Sequence, residues 1–180
     1  MAGLAACGCW VDLMAERLDI KPLTRLAFAT YGDVIEFADN ASYPINNGMA
    51  ERYHALARVD LEGDDANAVI SLIASKKFEL PRPVDHLEYH PRGSQAFIPL
   101  DANPFIVVVG RAEPAPDVSA LQAFVTNGGQ GINYRAGTWH HVLLTPYAAM
   151  RFICVDRDSP DDNCVDYHIP KADQPALELP

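Results

Sequence analysis

Positive charge is scarce in this chain: 14 lysines and arginines stand against 24 aspartates and glutamates, a formal net charge of −10. That balance repels phosphate backbones and anionic lipid, which argues against nucleic acid or a membrane surface as a partner. Long apolar runs are missing as well, and no stretch reaches the length a membrane span needs. Cysteine is sparse, and Cys7, Cys9, Cys154 and Cys164 form neither a CxxC pair nor a zinc-ribbon spacing. Reduced thiols in a cytoplasmic protein are therefore expected. The small-residue N-terminus lacks a basic leader and Asp12 interrupts its apolar run, so a secretory signal is not expected. Two catalytic signatures are absent too. The glycine-rich stretch 128–131 lacks GxxxxGK[ST] and precedes no helical pattern, which excludes a phosphate loop. There is no GxSxG, and Ser94 sits in a turn, so a serine hydrolase has no support.

What remains is a globular composition, 49% apolar and 21% charged over 180 residues, enough for one domain with a sizeable core. The 14 prolines and 11 glycines, set among Val, Ile, Phe and Tyr, favour short strands joined by tight turns. The expected fold is mainly β, a cupin-like barrel or jelly roll with a few short helices. Residues 1–20 read as an N-terminal extension, with one or two helical turns over Val11–Leu18 or disorder or packing on a neighbouring subunit. The domain proper is expected over 21–170, with a tail at 171–180. Thr24 is placed to cap a short helix through Phe28. Strands are expected after Tyr31-Gly32, from Glu51 through Val59 and Leu61, at 68–75, at 105–110, and at about 131–145 and 149–156. Ser119 to Val125 is either a short helix or a strand, and the acidic segment from Asp158 onward is expected on the surface.

The chemistry concentrates in two stretches. In Glu88-Tyr-His90, side chains two apart on a strand share a face. Pro91-Arg92-Gly93-Ser94 is turn chemistry, predicted to fold Gln95 and Phe97 back as a second strand beside the first. Some forty residues on, a turn at Gly137 delivers His140 to another strand. Glu88-x-His90-x4-Gln95 and Gly129-x5-Arg135-x-Gly137-x2-His140 resemble the cupin metal motifs, with Glu88 at the first histidine position and Gln95 at the glutamate position. Glu88, His90, Gln95 and His140 are thus the candidate ligands of a divalent metal, or else a metal-free polar cluster that binds substrate directly. Spacing selects His140 over His141, which is expected outside the barrel or at a subunit contact, with Trp139 on the same side. His54, His86 and His168 read as surface residues. Arg52, beside Asn46-Asn47-Gly48, is either a clamp for a substrate carboxylate or a surface arginine paired with a neighbouring acid.

Taken in order, Phe28-Ala-Thr-Tyr31-Gly32, Ile45-Asn-Asn47-Gly48, Glu51-Arg52-Tyr53-His54, His90-Pro-x-Gly93-Ser-Gln95-Ala-Phe97-Ile-Pro99, Gly131-Ile-Asn133-Tyr134, Gly137-x-Trp139-His140-His141 and Val155-Asp156-Arg157 resemble the ureidoglycolate lyase family over about residues 21–170. The resemblance implies a cytoplasmic homodimer that cleaves (S)-ureidoglycolate to glyoxylate and urea in purine (allantoin) breakdown. It also implies a divalent metal, with nickel, zinc and manganese as candidates, and no organic cofactor. On that reading His90, His140 and Glu88 carry catalysis. Asn47, Gly48, Arg52, Gln95, Phe97, Tyr134 and Trp139 hold a small anionic substrate. The alternative is a non-catalytic binder of glyoxylate or a small ureide. A cupin dioxygenase or sugar isomerase would want the fuller histidine and glutamate set.

Overall fold

A computed structural model describes residues 16–38 and 42–179. The chain runs through β1 (Ile20–Pro22), α1 (Arg25–Phe28), β2 (Gly32–Ile35), β3 (Ser42–Ile45), β4 (Ala50–Tyr53), β5 (Asn67–Ser75), β6 (Arg82–Pro83) and β7 (His86–Tyr89). It continues through β8 (Gln95–Pro99), β9 (Ile106–Gly110), β10 (Gln122–Val125), β11 (Gly131–Tyr134), β12 (Trp139–His140), β13 (Met150–Asp158), β14 (Val165–His168) and β15 (Ala176–Leu177). Two sheets face each other, ordered β1-β10-β9-β12-β7-β14 and β2-β11-β8-β13-β5. The fold is mainly β with a few short helical turns, as expected.

The run Phe105-Ile-Val-Val-Val109 explains how the layers stack. Its strand, β9, is covered on both faces, which is why its sequence is apolar without alternation. Val107 and Val109 point into the core between the sheets, with Phe28, Phe97, Phe124, Ile132 and Phe152. Ile106 and Val108 point the other way, into a second core with Leu87, Trp139, Leu144, Ile169 and Leu177. Each such fully buried side chain contributes roughly 1.5–3 kcal/mol. Thr24 caps α1 as expected, its hydroxyl accepting from the Ala27 N–H at 3.2 Å. The stretch 119–125 resolves into a 3-10 turn, Val118–Ala120, followed by β10.

Several expectations are corrected. The first is the hairpin. β7 and β8 are not neighbours but lie in opposite sheets, β7 between β12 and β14 and β8 between β11 and β13. Residues 91–94 carry the chain across the end of the sandwich instead of turning it back. Ser94 accepts there from the Asp60 N–H at 2.8 Å, and a Cβ at Gly93 would lie 2.7 Å from Arg157 Cβ. The strand from Glu51 ends at Tyr53, and Leu61 keeps only an isolated bridge to Gly93. The segment after Asp158 is not a surface tail. β14 pairs with β7, β15 pairs with β6, and Ile169 and Leu177 close the second core. Of the helical reading over 11–18, residues 11–15 lie outside the described residues. Residues 16–18 are extended, with the Leu18 N–H donating to Ala176 O at 2.9 Å.

Candidate active site

Four strands, two from each sheet, assemble the site. Alternation on β7 turns Glu88 toward the space between the sheets, with His90 two residues on. His140 of β12 stands directly opposite Glu88 in register. The Gly137 turn makes this possible: Gly137 adopts φ +81°, a glycine-favouring conformation, and its N–H donates to His90 O at 2.8 Å. From the facing sheet, Tyr134 of β11 stacks on His140 with ring centroids 4.2 Å apart and an interplanar angle of 16°. Such a stack is worth about 0.5–1.5 kcal/mol beyond burial. Gln95 of β8 is the register partner of Tyr134.

Ligand atoms of Glu88, His90 and His140 all lie within 4.8 Å of one another. Both imidazoles are oriented from behind. His90 Nδ1–H donates to Asn163 O at 2.8 Å, and His140 Nδ1–H donates to Thr138 O at 2.9 Å. A carbonyl only accepts, so in the neutral ring each Nε2 is left with its lone pair facing the cluster. His140 Nε2 stands 3.4 Å from Glu88 Oε1, a contact that becomes an ion pair when the ring takes up its second proton. His90 Nε2, His140 Nε2, Gln95 Oε1 and Tyr134 OH are all buried without a hydrogen-bond partner. Buried polar atoms are normally paired, so several orphans on adjoining residues mark a place for something the protein itself does not supply. Interaction with His140 first, then the positive potential of His90 and His86, holds the Glu88 carboxyl below its usual range against the opposing effect of burial. Burial, reinforced by Glu88, pushes the Tyr134 phenol well above its usual range, so it acts as a neutral hydroxyl.

The donor set fits a divalent metal. Imidazole Nε2 atoms with Nδ1 tied to backbone carbonyls, plus a carboxylate, are the usual environment of a borderline ion. Gln95 adds a free amide oxygen to one side.

His90 and Gln95 also line a cleft of about 260 Å³ together with Ser94, Arg157 and Asn163. Arg157 is the residue that sequence reasoning left without a role. Its Nε donates to Glu62 O and its Nη2 to Asp161, while Nη1 is buried and unpartnered. The signal was present in the quoted Val155-Asp156-Arg157 motif, but only the sheet shows that this arginine reaches the cleft.

Other candidates fall elsewhere. Phe97 lies a layer deeper, packed edge-on against Tyr134 at 6.1 Å. Trp139 belongs to the second core, its ring 4.3 Å from Tyr89 and its indole N–H on Glu113 O, because neighbours on a strand face opposite ways. Asn47, Gly48 and Arg52 sit exposed on the β3–β4 hairpin, and Arg52 makes no hydrogen bond or ion pair among the described residues. His141 is neither exterior nor free for a subunit contact. It is 2% exposed, donates from Nδ1 to His86 O at 2.6 Å, and burial lowers its pKa.

The profile of the ureidoglycolate lyase family matches residues 15–174. A ureidoglycolate lyase of Pseudomonas aeruginosa PAO1 is 45% identical over 161 residues, covering 89% of this chain and 95% of the relative. One from Stutzerimonas stutzeri is 44% identical over 161 residues, with 89% and 95% covered. Among solved structures, a 3,4-ketoisomerase from Helicobacter canadensis aligns with TM-score 0.45 and 15% identity, covering 73% of this chain and 87% of that one. With the family profile spanning the whole site and relatives this similar along nearly all of their length, the chain belongs to the ureidoglycolate lyase family.

Proposed function

We propose that this chain is an enzyme that cleaves (S)-ureidoglycolate to glyoxylate and urea, in the breakdown of purines through allantoin. The observation that carries this reading is the set of unpartnered Nε2 atoms of His90 and His140 facing Glu88, in a member of this family. Ureidoglycolate is a hemiaminal, with hydroxyl, carboxylate and ureido nitrogen on one carbon. Cleavage removes the hydroxyl proton, forms the carbonyl, breaks the C–N bond and returns a proton to the departing nitrogen. No water is consumed.

Each requirement has a residue. His140, clamped between Thr138 O and the Tyr134 ring, offers its Nε2 lone pair to the hydroxyl proton. Glu88 stabilises the imidazolium that forms and passes the proton toward the leaving nitrogen. His90 flanks it with a ring centroid 5.3 Å from that of His140. Gln95 Oε1 and the Tyr134 hydroxyl are free to bond the urea group. Arg157 Nη1 supplies the cation for the carboxylate, a charge-assisted bond worth about 1.5–3 kcal/mol. A nickel, zinc or manganese ion, if held by Glu88, His90, His140 and Gln95, would occupy the Nε2 lone pair that His140 otherwise offers as base, and would supply Lewis acidity toward the hydroxyl in its place.

We assign a cytoplasmic location and a homodimer to the chain. The homodimer is supported by the edge strand β5, which leaves Ile70 and Leu72 about three-quarters exposed. The deciding assay incubates the protein with racemic ureidoglycolate, with and without chelator, and follows glyoxylate above spontaneous decay. Saturable consumption of one enantiomer is expected. Binding without release of glyoxylate would leave only the small-acid binder.

A further inference from the structure

The strand beside the catalytic one repeats its pattern. β7 and its flank read His86-Leu-Glu88-Tyr-His90, and β14 and its flank read Cys164-Val-Asp166-Tyr-His168. The two strands are antiparallel, and Asp166 stands opposite Glu88 and His168 opposite His86. Glu88 therefore has His140 on one side and Asp166 on the other. Its carboxylate belongs to two compact groups of potential ligands: Glu88, His90 and His140 within, and His86, Glu88 and Asp166 toward the edge, each with ligand atoms within 4.8 Å of one another.

We propose that His86, Asp166 and Glu88 form a second divalent-cation site, with Glu88 bridging it to the inner cluster. Charge is the first argument. Two carboxylates on directly opposed strand positions repel. The positions on this face of β7, β12 and β14 (His86, Glu88, His140, Asp166 and His168) include no lysine or arginine, so no permanent cation offsets them. A divalent ion between them does. Ligand chemistry is the second. His86 Nε2 already approaches Asp166 Oδ1 at 2.7 Å, and the His168 ring lies 5.1 Å from the His86 ring, near enough to join the set. Imidazole with carboxylate selects a borderline ion such as zinc or nickel over magnesium or calcium. The outer site is the more open, with Asp166 56% and His86 22% exposed at the side chain, so its ion is held more weakly and exchanges faster than one at the buried inner cluster. Glu88 as a shared ligand makes the two occupancies interdependent, which the inner cluster alone does not imply.

The test counts ions and needs no turnover. The full chain, stripped with chelator and desalted, is dialysed against zinc, and bound zinc per chain is measured by atomic emission alongside a magnesium control. Two zinc ions per chain are expected for the native protein, and one each for Asp166→Asn and His86→Gln, with circular dichroism confirming that both variants fold. One ion in the native protein, lost in His140→Ala, would overturn the outer site and leave the inner one standing. Two ions persisting in both outer variants would overturn it as well. No bound zinc at all would remove both sites.

Discussion

The β7–β12 pairing and the β3–β4 hairpin are both short antiparallel ladders rich in polar side chains, yet they occupy opposite extremes of environment. Glu88 and His140 face each other beneath a second sheet, and His140 is 2% exposed. The hairpin pairs only with itself, and its tip, Asn46-Asn47-Gly48, runs through three successive positive φ angles in the open. An isolated two-stranded hairpin is marginal in water. Polar residues there are solvated and individually cheap to change, whereas the two imidazoles on the inner face are held in orientation by backbone carbonyls and by the Tyr134 ring. Chemistry needing oriented lone pairs belongs to the first region.

The contrast is sharpest at His140. His140→Ala should lower kcat by roughly a hundredfold or more, the scale of a positioned acid or base, with steady-state glyoxylate release as the measure. Near-native turnover would falsify its assignment. Arg157 comes next. Arg157→Lys keeps the charge but loses the fork, so KM should rise about tenfold with a smaller change in kcat. An unchanged KM would take the carboxylate anchor away from it. Glu88 gives a smaller effect, read in stability. Its folded carboxyl is held below the ordinary 4.5, so it stabilises the fold above that pH and the benefit fades as pH falls through the folded value. Between neutral and acid pH the native urea midpoint should therefore fall further than that of Glu88→Gln. Parallel curves would show that the carboxylate is not held in the way described. The smallest effect belongs to the hairpin: Arg52→Ala should leave kcat/KM within about twofold of native, as surface changes do. A large rise in KM would break the comparison and mean that the hairpin serves a site in another copy of the chain.

Much of the site was readable before any coordinates because strand alternation is local. Glu88 and His90 had to share a face once 86–90 was a strand, and Gly137 had to turn if His140 was to follow it. The double burial of β9 was legible in its unbroken apolar run. Misreadings arose where a local signal was asked for a global answer. Pro91-Arg-Gly-Ser94 announces a turn but cannot say whether the next strand lies beside the last one or across the barrel. Asn47 and Arg52 have suitable chemistry, but nothing in their spacing says what packs on them. His86 and His168 read as surface residues, and the structure leaves His86 partly buried and His168 exposed. Their alignment with Glu88 and Asp166 appears only when β14 pairs with β7.

Composition, periodicity and turn residues were enough to fix a mainly β chain and the direction each strand's side chains take. Both follow from backbone sterics and the two-residue pleat, which act over a few neighbours. Strand order, the sheet to which each strand belongs and the neighbours brought to Arg157 and Glu88 came only with the folded sheets. Those depend on burying two apolar faces at once, a condition no single segment can satisfy by itself.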